Sequence, residues 1–241
     1  MPPSNSNSVP DNRLLASLPD EEYQRLVPYL EYVTLPPGQI LYQSGAVIQY
    51  VYFPTRSMVS LVSRLQDNSS AEFALVGNEG MVGFPVFLGG NLTSSYAIVQ
   101  IPDGAMRMNA DVLKMEFERG GVLQRLLLLY AQALFTQVAQ NAVCKSHHTM
   151  KNRLARWLLS VQDCIQKDEL PLTQQYISTL LGTRRATITA VAGTLQQEGS
   201  IRYSRGRITI LNRKALEATA CECYEVVKSE CQRLLERRSN S

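Results

Sequence analysis

The sequence predicts an α+β fold: an N-terminal β-roll or jelly-roll domain, a long helix for dimerisation, and a C-terminal winged helix-turn-helix. Three observations predict it. Short runs rich in Val, Ile, Tyr and Phe, separated by Gly, Asn, Ser, Pro and Asp, occupy residues 39–108. A long apolar helical stretch follows Gly120 and Gly121. Residues 172–210 then read as two short amphipathic helices, a tight turn and an arginine-rich hairpin.

The domain boundaries follow from the changes in these patterns. We expect a disordered N-terminus over 1–12, a β-roll domain over 13–120, a dimerisation helix over 121–146, the winged helix-turn-helix over 147–212 and a helical tail over 213–241.

In the first domain, residues 14–32 predict a helical lead-in that ends at Pro36-Pro37-Gly38. Strands are predicted after it over 39–42, 50–54, 58–63, 71–76, 95–101 and 105–108. Asn109 or Asp111 is expected to cap the helix that follows.

Charge is distributed unequally between the two halves. Residues 1–120 hold 7 Lys+Arg and 12 Asp+Glu, whereas residues 121–241 hold 17 and 9. A basic half beside an acidic half predicts one domain that meets a polyanion.

The N-terminus lacks the basic and apolar regions of a signal peptide, and the longest apolar run, 126–130, is too short to cross a bilayer. All five cysteines follow residue 143, so a secreted disulfide framework is not expected. These features predict a cytoplasmic protein without a membrane partner.

Apolar residues in the central helix approximate the alternating spacing of a coiled-coil seam. They predict a homodimer through Leu123, Leu127, Tyr130, Leu134 and Asn141. Burial of this helix within one subunit is the alternative that the sequence leaves open.

In the first short helix, Thr173 is the expected N-cap, and Ile177, Leu180 and Leu181 form an apolar stripe. Gly182 suits the left-handed conformation that ends a helix. Thr183 is expected to cap the second helix, whose apolar stripe is Ile188, Val191, Ala192 and Leu195.

The outward face of the second helix carries Arg184, Arg185, Thr187 and Thr189, which predicts contact with double-stranded DNA. Strands over 201–203 and 207–211 enclose a turn at Ser204, Arg205 and Gly206. The basic residues of this wing, expected at phosphates, are Arg202, Arg205 and Arg207.

The sequence resembles the Crp/Fnr family of bacterial transcription regulators. The resemblance rests on EGMVGFPVFLGG at 79–90, RLARWLL at 153–159, LTQQYISTLLGTRRATIT at 172–189 and YSRGRITI at 203–210. It implies a cyclic-nucleotide-binding-type barrel, a homodimer, a palindromic operator and RNA polymerase as a partner.

The resemblance also implies roles for single residues. Arg185 matches the family's base-reading arginine, and the positions that match phosphate contacts are Thr173, Gln174, Gln175, Arg184 and Thr187. Ala186 and Ala190 stand at two further base-reading positions, where they offer only contact with a thymine methyl group.

The implied effector pocket is degenerate and comprises Gly83, Phe84, Ser94 and Ser95. Phe84 stands where cyclic-nucleotide-binding members hold a glutamate, and Ser94 where they hold an arginine. No Lys or Arg lies between Arg64 and Arg107 to replace that cation. A buried phosphate without a cation is costly, so we expect no cAMP binding and leave the effector unknown.

No cofactor is predicted, because the chain lacks the N-terminal cysteine cluster of an iron–sulfur sensor and a haem ligand before Cys144. No metal site is predicted either. His147 and His148 would point apart on a helix, and so would Cys221 and Cys223, with Cys231 more than two turns further on. The roles of these five residues stay open, with a regulatory thiol as one possibility.

Two other classes of function remain as alternatives. A cupin-like enzyme needs several His and carboxylate ligands inside the barrel, but both histidines lie outside it, so we do not expect an enzyme. A pure protein-interaction module would leave the basic half without a DNA-reading role.

Overall fold

The computed structural model describes residues 11–67 and 69–235. Its N-terminal half has two antiparallel sheets, as the alternation of apolar and turn residues predicts. One sheet has the order β1-β7-β3 and the other β2-β6-β4-β5. The strands are β1 (Glu31–Leu35), β2 (Ile40–Tyr42), β3 (Tyr50–Pro54), β4 (Met58–Arg64), β5 (Ser70–Val76), β6 (Tyr96–Ile101) and β7 (Asp103–Asn109).

The lead-in is shorter than predicted. Helices α1 (Arg13–Ala16) and α2 (Asp20–Leu26) are followed by a 3-10 turn, Val27–Tyr29, and then by β1. Pro28 has no amide hydrogen for the helical ladder, so the α-helix stops before it. The prediction of helix up to residue 32 is therefore wrong after residue 26, where the chain forms the 3-10 turn and then β1, which pairs with β7.

Residue 12 is ordered, contrary to the prediction for 1–12. Asn12 is fully buried, and its amide donates to the carbonyls of Pro54 and Gly80 at 2.9 Å each. Its side-chain oxygen accepts from the amide of Leu15 at 3.0 Å and so caps α1. The rest of the predicted disordered segment, 1–10, lies outside the described residues.

Two helices follow the sheets: α3 (Ala110–Glu118) and α4 (Val122–His147). Asn109 caps α3, as predicted, by accepting from the amide of Asp111 at 2.8 Å. Burial on α4 concentrates on one side, which packs against the β domain.

Polar side chains of α4 cover the open edge of the larger sheet. β5 is an edge strand. Gln137 accepts from the amide of Leu75 at 2.8 Å and donates to its carbonyl at 3.3 Å, and Asn141 donates to the carbonyl of Phe73 at 2.8 Å. Tyr130 donates to the carbonyl of Met81 at 2.8 Å. The bonds to Leu75 and Phe73 satisfy backbone groups of β5 that an uncovered edge leaves unpaired.

The predicted dimer seam is therefore wrong. Its four apolar members, Leu123, Leu127, Tyr130 and Leu134, are all buried inside their own subunit, and Asn141 bonds to β5. The exposed residues of α4 form a second seam with the same alternating spacing: Arg125, Leu128, Gln132, Phe135, Ala139, Ala142 and Ser146. Phe135 is 74% exposed and Leu128 49%.

By length and composition alone, α4 is long and apolar enough to cross a membrane, with a mean hydropathy of 1.2 over its most apolar window. The apolar run of 126–130, on which the prediction rested, is only a small part of this apolar stretch. Core helices of soluble proteins share this length and composition, and one side of α4 packs against the β domain.

The C-terminal half is mostly helical, with a small sheet of order β8-β10-β9. Its elements are α5 (Met150–Ile165), β8 (Glu169–Leu170), α6 (Gln174–Leu180), α7 (Arg185–Gln197), β9 (Ile201–Ser204), β10 (Arg207–Ile210), α8 (Arg213–Thr219) and α9 (Cys223–Leu235). β8 was not predicted. The predicted helical tail is broken, because Ala220 adopts an extended conformation between α8 and α9.

The two halves share a continuous apolar core. Leu154, Trp157 and Leu158 of α5 belong to the same buried cluster as Met58 and Leu75 of the β domain. The structure therefore places the C-terminal domain directly on the larger sheet.

Candidate nucleic-acid interface

The first helix of the pair is fixed by local sequence. Thr173 is the N-cap of α6, as predicted, and its hydroxyl accepts from the amide of Tyr176 at 3.2 Å. Gly182 has φ +61°, the left-handed conformation expected at the end of this helix. Arg153 of α5 also donates to the carbonyl of Leu181 at 2.8 Å, which ties the turn to the domain core.

The start of α7 differs from the prediction. Arg184, not Thr183, is the N-cap residue, and no side chain caps this end. Uncapped amides at a helix start suit phosphate oxygens, and the helix dipole favours an anion there. The local sequence thus leaves the second helix with a start that can receive a phosphate.

The faces of α7 are as predicted. Ile188, Ala192 and Leu195 are buried, and Arg184 and Arg185 are exposed. Within 11–67 and 69–235, neither arginine forms an ion pair. Their charges are therefore available to an external anion.

The middle of the exposed face carries small side chains. Ala186, Ala190 and Gly193 are exposed, and a Cβ added to Gly193 would meet no atom within 4 Å. Such a face allows close approach to a groove and contact with thymine methyl groups.

Thr189 and Gln174, both predicted to contact DNA, contact each other. The Thr189 hydroxyl donates to Oε1 of Gln174 at 2.7 Å, and the carbonyl of Arg185 lies 3.1 Å from the same hydroxyl. The first bond joins α6 to α7, so Thr189 positions Gln174. Gln175 and Thr173 are exposed, and Thr187 is half-buried.

The wing is a hairpin with a two-residue turn. Arg205 (φ +48°) and Gly206 (φ +77°) are both left-handed, as a type I′ turn requires. Ser204, predicted in the turn, belongs to β9 and pairs with Arg207. A Cβ on Gly206 would lie 3.4 Å from Cγ2 of Thr173, so the wing turn lies beside the start of α6.

The three wing arginines differ in their partners. Arg202 and Arg205 are exposed and, in the part of the chain that the structure describes, form no ion pair. Arg207 forms an ion pair with Glu169 of β8. Contact of Arg207 with phosphate stays a prediction, and in the DNA-free chain this side chain has Glu169 as its partner.

Sequence reasoning missed three residues that hold the interface together. They are Arg153 at the turn, Glu169 beside Arg207, and Gln196, which accepts from the amide of Tyr203 at 2.7 Å and fixes the wing to α7. Each bond joins two separate elements, so no local pattern signals it.

The predicted effector positions lie in two adjacent segments of the β domain. Gly83 (φ +104°) packs against Val51, and Phe84 begins a 3-10 turn. Ser94 is exposed, whereas Ser95 is buried and shares a 2.8 Å hydrogen bond with Thr93. None of these four positions supplies a positive charge.

Arg64 and Arg107, the nearest basic residues before and after this segment in the sequence, already have partners within the chain. The guanidinium of Arg64 lies 4.7 Å from the ring centroid of Tyr96. Arg107 pairs with Glu31 at 2.6 Å and lies 4.4 Å from the ring centroid of Tyr50. A cyclic phosphate would have to compete with these partners for either cation.

A cavity of about 690 Å³ lies between the two domains. Its walls come from α1, from Asn78 and Glu79 in the turn after β5, and from α5 and α9. Burial raises the pKa of Glu79. A small molecule in this cavity would contact both domains at once.

Four residues near the end of α4 form a group that could hold a metal ion: Cys144, His148, Cys221 and Cys223. Cys221 and Cys223 were predicted to face different directions on a continuous helix, but the structure brings both into this group. His148 adopts an extended conformation after α4, and Cys221 precedes α9. His147 is exposed, and Cys231 lies further along α9 outside the group.

Comparison with known proteins agrees with this architecture. Residues 152–219 match the Crp-like helix-turn-helix domain family. No curated protein sequence matches the chain.

Solved structures with the same fold cover nearly the whole chain. A Crp/Fnr-family regulator from Eubacterium rectale has a TM-score of 0.67 at 17% identity, covering 86% of this chain and 96% of its own. FixK2 from Bradyrhizobium japonicum has a TM-score of 0.68 at 16% identity, covering 80% and 98%. The regulator CLP from Xanthomonas campestris has a TM-score of 0.63 at 14% identity, covering 80% and 99%.

These neighbours share the β domain, the long helix and the C-terminal helix-turn-helix, so the predicted α+β fold is confirmed. Residues 152–219 therefore belong to the Crp-like helix-turn-helix domain family, and the chain as a whole shares the fold of solved Crp/Fnr-family structures.

Proposed function

We propose that this chain is a transcription regulator of the Crp/Fnr type, that it binds a palindromic operator as a homodimer and that its sensor domain does not bind cAMP. One observation carries the proposal: the start of α7 is uncapped and exposed, and it presents Arg184 and Arg185 without ion-pair partners among the described residues. A helix start of this kind combines charge and free amides for the DNA backbone with an arginine for base edges.

Each exposed residue then has a role that fits its position. Arg185 reads a guanine through two parallel hydrogen bonds. Contacts to phosphates come from Arg184, Thr187, Thr173 and Gln175, and from the wing residues Arg202 and Arg205. Gln174, held by Thr189, lies at the junction of the two helices.

The exposed seam of α4 supports the homodimer. A second copy of α4 would cover Leu128 and Phe135, which a single chain leaves in water. Ala139, Ala142 and Ser146 are small enough for two helix backbones to approach closely along the rest of the seam. Two α7 helices related by this axis would meet half-sites about 34 Å apart.

The sensor's ligand is a separate question. CLP from Xanthomonas campestris responds to c-di-GMP, which shows that this fold serves ligands other than cAMP. In this chain, the engaged Arg64 and Arg107 and the uncharged Phe84 and Ser94 argue against a cyclic phosphate. The proposed site of action is cytoplasmic, with RNA polymerase as the further partner.

The test is selection of binding sites from a random pool of DNA duplexes by the purified chain, without added ligand. We expect enrichment of a two-fold symmetric site. Arg185→Ala should lose roughly 5- to 150-fold in specific over non-specific binding, which corresponds to about 1–3 kcal/mol.

The matched control is Arg56→Ala. Arg56 is also exposed but lies between β3 and β4 of the N-terminal domain. Equal losses for the two variants, or enrichment of sites without symmetry, would contradict the proposal.

A further inference from the structure

Two pairs of metal-binding side chains come together where α4 ends and α9 begins. Cys144 and His148 stand one helical turn apart at the end of α4, while Cys221 and Cys223 flank the start of α9. All four candidate ligand atoms lie within 4.8 Å of one another. The fold thus collects, at one point, residues that are more than 70 positions apart in the chain.

The separations fit a tetrahedral site. Sγ of Cys144 is 3.5 Å from Sγ of Cys221, and Sγ of Cys223 is 3.5 Å from Nδ1 of His148. Zn–S bonds of about 2.3 Å and Zn–N bonds of about 2.0–2.1 Å place tetrahedral ligand atoms about 3.5–3.8 Å apart. The side chains therefore need little movement to enclose one ion.

Neighbouring groups hold these ligands as they do in known metal sites. Nε2 of His148 lies 3.2 Å from a carboxylate oxygen of Glu222, which leaves Nδ1 facing the thiols. Gln140 donates to Sγ of Cys223 at 3.1 Å. A carboxylate on the far nitrogen of a ligand histidine and a hydrogen bond to a ligand sulfur both orient the first coordination shell.

Burial and charge also suit bound thiolates. The three cysteines are buried, and His148 is half-buried. Three thiolates, a neutral imidazole and a divalent ion carry a net charge of −1. The buried Arg156 supplies a nearby positive charge, and its Nε has no hydrogen-bond partner among the described residues. Burial raises the pKa of the Cys144 thiol, and the charge of Arg156 opposes that rise.

We propose that Cys144, His148, Cys221 and Cys223 bind one Zn²⁺ in a closed, four-ligand structural site. Three sulfurs and one nitrogen form a ligand set typical of structural zinc, with no position left for water. The ion would clamp the start of α9 to the end of α4, directly before the DNA-binding domain begins at α5. Metal occupancy would thereby fix the junction between the sensor and the DNA-binding domain.

The first test is metal analysis of the full chain purified with reductant and without added chelator. We expect one Zn²⁺ per chain. Cys223→Ser should reduce the content to near zero, whereas the matched control Cys231→Ser, also on α9 but outside the cluster, should keep one per chain. Equal loss in both variants would overturn the proposal.

A titration keeps the proposal falsifiable if Cys223→Ser does not fold. Apo wild-type chain, checked for its helical circular dichroism, is titrated with Co²⁺. We expect saturation at one equivalent with the intense absorption of tetrahedral cobalt bound to thiolates, and displacement by Zn²⁺. Glu222→Gln should weaken the affinity by about 10- to 100-fold without changing the stoichiometry.

Two results would overturn the site. One is folded, reduced wild-type chain that binds neither Zn²⁺ nor Co²⁺ at micromolar concentration. The other is a Cys144–Cys221 disulfide in zinc-free chain whose stability does not respond to added zinc.

Discussion

The indole nitrogen of Trp157 donates a hydrogen bond to the carboxylate of Glu72 at 2.7 Å, joining α5 of the DNA-binding domain to β5 of the sensor. Ser60 of β4 donates to the other carboxylate oxygen. This contact matters because α5 connects the end of α4 to the helix-turn-helix. It is a polar contact beside the apolar cluster that the two domains share.

Stability at this contact should depend on pH. Burial raises the pKa of Glu72 to about 7, although Ser60, Trp157 and Arg156 oppose the rise. A carboxyl whose pKa is raised on folding stabilises the folded state below its unfolded pKa, and this contribution is lost as the pH rises through the folded value. Between about pH 4.5 and 7, wild type should therefore lose stability relative to Glu72→Gln, by on the order of 3 kcal/mol.

Urea denaturation of both proteins at pH 5, 6, 7 and 8 checks this expectation. The difference between the two unfolding free energies should grow up to about pH 7 and then level off. A difference that is constant with pH would show that Glu72 keeps the same charge throughout.

Two arginines of the wing should contribute unequally to DNA binding: Arg205, which lies in the turn, and Arg207, which directly follows it. Arg205 is exposed at the turn, whereas Arg207 forms an ion pair with Glu169. Arg205→Ala should lower the slope of log K against log salt concentration by about 1, because one phosphate contact and its counterion release are lost.

The control for this measurement is Glu169→Gln combined with Arg207→Gln, which leaves the net charge unchanged. Its salt slope should equal that of wild type. A slope that falls as much in the control as in Arg205→Ala would assign the contact to Arg207 instead.

A charge on the exposed seam of α4 should dissociate the proposed dimer. In Phe135→Glu, a carboxylate would be buried without a partner between two helices, which we expect to weaken dimerisation by more than about a hundredfold. Light scattering after size exclusion measures the mass. Met115→Glu, on the exposed surface of α3, should remain dimeric, since Met115 is 46% exposed but lies off the seam.

Cyclic AMP should give no saturable heat in isothermal titration calorimetry with chain that binds its selected DNA site. The physical reason is the missing cation: Arg64 and Arg107 are engaged with Tyr96, Tyr50 and Glu31, and none of the predicted pocket residues is charged. Micromolar affinity would show that a cation elsewhere in the chain reaches the phosphate.

Elements with a strong local signal were predictable. The strand from 50 to 54 and the helix pair with its Gly182 turn occupy the expected residues, because turn residues, caps and periodicity act within a few positions. β1 and β8 were not predictable in this way. Both are short, and each is stabilised by pairing with a strand more than 35 residues away.

The exposed face of α7 could be predicted more completely than the surroundings of the effector positions or the cysteine–histidine group. Arg184 and Arg185 are exposed because the helical period of Ile188, Ala192 and Leu195 turns them outward. The periodicity could not show that Arg207 pairs with Glu169, since that depends on how β8 and β10 align.

The sequence by itself determined the order of the domains, the N-cap of α6 and the turn that follows this helix, and the side of α7 that faces outward. Each of these depends on neighbouring residues. Only the tertiary structure decided which side of α4 is buried. Two seams on that helix have coiled-coil spacing, and the open edge of β5 selects one of them through Gln137 and Asn141. It also brought Cys144 and His148 to Cys221 and Cys223, since long-range packing of α9 on α4 sets those distances.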